Sequence, residues 1–210
     1  NVFSLPLPLA NRFIHAELNV PTLENWTDWA LANEIDMRIV SFLNFKPSRL
    51  FNYDGKNKDL VISTPRSWAF CSQLIKDNNN LDEIEILAST AIGEGVAIEL
   101  LAFLKLSKKI DIKELLDNPK KIADIKELDM KYTIIGGISE YYRKHKNKEM
   151  LAKILNACSY FEEEFAMFLL RFTKAVDSTF FNKEIIKLPD WKKHANNFAK
   201  FVLYEDEEKI

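Results

Sequence analysis

The chain has 210 residues, 47% apolar and 29% charged, with a formal net charge of −2. That is an ordinary globular balance, long enough for one or two domains with a core, and the net charge alone points to neither nucleic acid nor membrane. Only 5 glycines and 7 prolines occur, so long helices with short links are favoured over many strands.

Charge is spread unevenly. Residues 1–104 carry 8 basic and 13 acidic side chains, residues 105–153 carry 13 and 8, and the remainder 8 and 10. The basic middle reads first as a solvated helix surface and second as a face for an acidic partner. Cys71 and Cys158 each sit inside an apolar helical pattern, as buried thiols in a reducing, cytoplasmic compartment would. No zinc spacing exists, and His15, His145 and His194 are scattered. No apolar run approaches about 18 residues, so no membrane span is expected. A start at Asn1, inside a Pro-rich stretch without an initiator Met, suggests a piece of a longer protein.

Residues 1–11 read as an extended lead-in, and alternation over 13–18 allows a short strand. Thr22 suits the N-cap of a helix to about Asn33, with Leu23, Trp26 and Ala30 on one face. Asp36 caps a second helix to about Phe45, stopped before Pro47. Asp54-Gly55 marks a turn in the polar stretch 52–63. Thr64-Pro65 opens a helix to about Lys76, with an N-cap followed by proline at the first helical position. Asn78-Asn79-Asn80 is a loop, and helical periodicity then runs from Leu81 to about Leu106, broken by Gly93-Glu94-Gly95, where either two helices meet or one helix is packed closely at Gly95.

Further on, short amphipathic pieces fit 111–117 and 119–126, and a longer one fits 127–144 despite Gly136-Gly137. The strongest pattern spans 148–175, from Leu151 to Phe172 at three-four spacing. A last helix fits 189–203, ahead of an acidic tail, Glu205-Asp206-Glu207-Glu208.

Two segments carry a resemblance. Pro6-Leu7-Pro8-Leu9-Ala10-Asn11-Arg12-Phe13-Ile14-His15 resembles the stretch after the sensor-1 strand in AAA+ ATPases of the MoxR type, which ends in an Arg-Phe pair. Ser63-Thr64-Pro65-Arg66-Ser67-Trp68 resembles the sensor-2 motif that opens a lid helix. Glu24–Ala30, Ile39–Leu43 and Ala91–Leu100 look like lid helices of the same group. The resemblance covers about residues 1–104.

The helical patterning reads as an all-α fold. By the resemblance, residues 1–20 would end an AAA+ core and 21–106 would form a lid-type helical bundle; residues 107–210, which the resemblance does not cover, read as a second helical region packed on it. The resemblance implies ATP and Mg2+ in the intact protein, a homo-oligomeric ring, and work on partner proteins, von Willebrand factor A domain proteins among them. Arg12 becomes the candidate arginine finger, acting on a neighbour's nucleotide, and Arg66 the candidate sensor 2. A delocalised guanidinium suits both tasks, because phosphoryl transfer spreads negative charge over the γ-phosphate oxygens.

Each arginine also has a plainer reading: Arg12 in a local ion pair with Glu17, Arg66 as an incidental residue on a well-capped helix. The sequence contains no G-x-x-x-x-G-K-[ST] loop and no apolar strand ending in paired acids, so this chain alone is expected to hold no ATP or Mg2+ and to be inactive. Two other functional readings remain open at this level. One is a non-enzymatic helical protein-interaction module. The other is a nucleic-acid-binding regulator using Lys105 to Lys153 with Tyr132, Tyr141 and Tyr142.

Overall fold

A computed structural model describes residues 6–17, 19–53, 60–193 and 195. The protein is all-α, and no strand occurs among the described residues. Of residues 13–18, which allow a short strand, 13–17 are described; they are non-helical and pair with no strand among the described residues. The expected turn at Asp54-Gly55, most of the last helix and the acidic tail lie outside the described residues; of that helix, 191–193 and 195 are helical.

The first elements are α1 (Leu7–Ala10), α2 (Leu23–Ala32), α3 (Met37–Phe45), a 3-10 turn (Pro47–Arg49), α4 (Pro65–Ile75), α5 (Leu81–Ile92) and α6 (Glu94–Ser107). Their starts follow the caps read from the sequence. Thr22 accepts from the Asn25 amide, Asp36 from Arg38 and Asn80 from Asp82, each satisfying a donor that the helix itself leaves free. α5 ends at Gly93, whose φ of +85° disfavours any side chain, and where an added Cβ would lie 2.9 Å from the Val61 carbonyl. Two helices therefore meet at this glycine.

The remaining elements are α7 (Ile112–Asp117), a second 3-10 helix (Pro119–Asp124), α8 (Leu128–Lys144), α9 (Lys148–Cys158), α10 (Glu163–Val176) and α11 (Ser178–Ile185). The single helix expected over 148–175 is two helices. Apolar spacing continues through Cys158, Phe161 and Phe165, so the period hides the break at Ser159–Glu162. The acidic triplet Glu162-Glu163-Glu164 marks the restart, since acids favour the positive end of a helix dipole. α11 was not anticipated, although Asp177 caps it and Phe181 and Ile185 lie one turn apart, both buried.

α8 is the central element. It packs against α3, α6 and α10, while α5 lies between α4 and α6. One hydrophobic core runs without interruption from Trp26 to Trp191. The segments 21–106 and 107–210 share it, chiefly through the α3–α8 contact. That contact is close because Gly136 of α8 lies against Ser41 of α3.

Candidate functional site

Arg66 is the second residue of α4, and the start of that helix is fixed from several directions. Thr64 Oγ1 accepts from the Ser67 amide at 3.1 Å, and Ser67 Oγ accepts from the Thr64 amide at 2.8 Å, a reciprocal capping box. Pro65 occupies the first helical position, where its fixed φ fits and no amide is missed. The Trp26 indole N–H of α2 donates to the Pro65 carbonyl at 3.3 Å. The Trp68 indole N–H donates to the Arg49 carbonyl at 2.8 Å, and Trp68 is fully buried beside Phe42.

A third support reaches back to α6. Glu99 accepts from Arg49 through Nε at 3.0 Å and Nη2 at 2.6 Å, and from Lys46 at 3.0 Å. Burial opposes ionisation of Glu99, but these two cations outweigh it and hold the carboxyl below its ordinary value. A chain of polar contacts thus runs from Glu99 on α6, through Arg49 on the 3-10 turn, to Trp68 on α4.

The Arg66 side chain is exposed and makes no hydrogen bond or ion pair with any described residue. Phe70 and Leu74 follow it at intervals of four residues, and both are exposed, at 54% and 44%. The outer stripe of α4 is therefore an exposed guanidinium leading into an apolar ridge.

Arg12 lies in the turn after α1, also exposed and unpaired among the described residues; the ion pair with Glu17 is not formed. Its surroundings are open, with Leu7 and Phe13 exposed and Ile14 almost completely so. No contact joins Arg12 to Arg66 among the described residues. A cleft of about 300 Å3 bounded by the α2–α3 and α4–α5 turns and by α8 includes neither of them. Its charges pair with each other: Arg38 with Asp36, and Arg143 with Glu140 and Asp77.

The remaining polar candidates take structural roles. His15 contacts the Ala10 carbonyl, His145 stacks on Tyr141, and His194 lies outside the described residues. Glu162 pairs with the buried Lys131. Both described thiols are buried and unpaired, with Cys71 pushed up to about 12 by desolvation. No set of three metal-ligating side chains occurs among the described residues, and no helix there is long and apolar enough to cross a membrane. Tyr142 is buried, and Tyr132 packs edge-on against Phe165 and Phe168.

Sequence reasoning treated Trp26 as ordinary core and did not single out Arg49 or Glu99. The tryptophans do pack in the core, but their indole N–H groups also locate α4. A buried tryptophan needs an acceptor, and that need is the signal a sequence offers, without naming the acceptor.

Fold and site define a helical bundle that presents, at a fixed helix start, an arginine with no partner among the described residues. Comparison with known proteins finds no matching family model, no matching curated protein and no matching solved structure.

Proposed function

We propose that this chain is the lid-bearing part of a MoxR-like AAA+ ATPase, which converts ATP hydrolysis into remodelling or assembly of partner proteins. Arg66 senses the nucleotide phosphates and Arg12 reaches the γ-phosphate held by a neighbouring subunit. The observation that carries this reading is the state of Arg66. Its backbone is held by a capping box, a proline and the indole hydrogen bonds of Trp26 and Trp68, while its guanidinium has no partner among the described residues. An arginine that serves only the fold is expected to spend its donors on the fold, as Arg38 and Arg49 do here.

The apolar ridge Phe70–Leu74 supports the same reading, since a lid needs a body to pack against. MgATP would be bound by Walker motifs that this chain lacks. ATP supplies the transferable phosphoryl group, and Arg12 and Arg66 supply positive charge where negative charge accumulates. The Glu99–Arg49–Trp68 chain gives α4 a mechanical link to α6, so a phosphate felt at Arg66 shifts the bundle as a unit.

The test is steady-state ATPase activity of the intact protein with Arg12→Ala and Arg66→Ala. Arg12→Ala is expected to abolish turnover while ATP affinity stays within a few fold, and Arg66→Ala to weaken the response to nucleotide with the helical content intact. Normal turnover and response in both variants would remove the two arginines from the mechanism.

A further inference from the structure

The segment from the end of α6 to the residue before α8 carries charge that the fold does not use. Residues 105–126 hold seven lysines and four acids, with no arginine and no aromatic residue. The inner side of this segment is apolar: Leu115, Leu116, Pro119 and Ile122 are buried. Lys113, Lys120 and Lys121 therefore stand on the outer side, Lys108 and Lys109 precede them in the α6–α7 turn, and all are exposed.

Most of the local acids are already committed. Asp111 caps α7, Glu114 pairs with Lys121, and Asp117 pairs with Lys153 at 2.8 Å. Lys105, Lys108, Lys109, Lys113 and Lys120 form no ion pair or side-chain hydrogen bond with any described residue, although Lys113 lies near enough to Asp117 to help lower its carboxyl. Five cations concentrated on one short segment repel each other unless an opposing charge covers them.

We propose that this lysine face docks an acidic segment of a partner protein. Protein is favoured over nucleic acid by three features of the segment. Acids alternate with the lysines and would repel a continuous phosphate backbone. The segment offers no ring on which a base could stack. The tyrosines nearest in sequence are turned into the core, Tyr142 fully and Tyr132 against Phe165 and Phe168. The proposal does not rest on the nucleotide reading, because it uses none of the residues that carry it.

The experiment measures binding of the chain to poly-L-glutamate, to oligouridylate and to phosphatidylserine-containing vesicles over a range of salt. Poly-L-glutamate is expected to bind best, weakening as salt rises. Reversal of Lys109, Lys113 and Lys120 to glutamate should cut that binding about tenfold or more, while reversal of Lys183, Lys187 and Lys192 on the far C-terminal part leaves it within about twofold. Glutamine in place of the same three lysines gives an intermediate loss and guards against a folding artefact. Tighter binding of the RNA or the vesicles, or equal loss from both lysine sets, would overturn the proposal. So would self-association abolished by the first reversal, which would assign the face to a second copy of the chain.

Discussion

An added Cβ at Gly136 would lie 2.4 Å from Ser41 Oγ and 3.1 Å from Ser41 Cβ, with the Met37 carbonyl at 3.4 Å. This approach brings α8 onto α3 and so joins the two halves of the chain. Gly136→Ala should therefore destabilise the protein. Overpacking costs about 1–3 kcal/mol, against roughly 1 kcal/mol recovered from the helix propensity of alanine. Urea unfolding should show a lower midpoint, partly restored by Ser41→Ala in the same chain. An unchanged midpoint would mean that the two helices are not in this contact.

Glu34 and Asp77 adopt positive φ values of 54° and 59°. Glu34 follows the end of α2, where the Ile35 amide reaches back to the Ala30 carbonyl. Asp77 sits in the tight turn closed by the Asn78 amide on the Ile75 carbonyl. Glycine suits both places. Glu34→Gly is expected to raise stability by roughly 0.5–1 kcal/mol, since its ion pair with Lys76 is long and exposed. Asp77→Gly should gain less, because it gives up a contact with Arg143. Thermal unfolding of the two variants would rank them.

Glu99 gives a pH signature. Its carboxyl is held below its ordinary value in the folded state, so the folded protein binds fewer protons there than the unfolded chain. The stabilisation is complete above the ordinary glutamate range and is lost as pH falls through the depressed value. Glu99→Gln should flatten the acid side of the stability profile while lowering stability at neutral pH. Equal acid slopes for the two proteins would show that Arg49 and Lys46 do not grip this carboxylate.

Trp26→Phe removes the indole donor to the Pro65 carbonyl while keeping an aromatic ring in the core. The expected loss of stability is about 1 kcal/mol. Under the proposed nucleotide role, the same variant should also blunt the response of the intact protein to ATP, because the start of α4 loses one of its fixings. A full response would separate Trp26 from the behaviour of Arg66.

Cys71 and Cys158 should resist Ellman's reagent in the folded chain and react once it is unfolded. Burial raises both thiols, Cys71 to about 12, so little thiolate is present at neutral pH. Rapid reaction of the native protein would contradict their burial.

The sequence by itself determined the local grammar. Thr22, Asp36 and Thr64-Pro65 placed helix starts because capping and φ restrictions act over three or four residues, whereas the Gly93-Glu94-Gly95 stretch left open whether two helices meet there. The all-α class followed from the same short-range rules, and the two arginines were visible as residue types in a motif. Tertiary structure decided what those rules cannot see. It split 148–175 at Ser159, because an apolar period that survives a turn looks like one helix. It set Gly136 on Ser41, and gave the Trp26 and Trp68 indoles to the Pro65 and Arg49 carbonyls, partners 39 and 19 residues away. Contacts at that separation depend on how helices pack, and a one-dimensional pattern records which faces are apolar but not which faces meet.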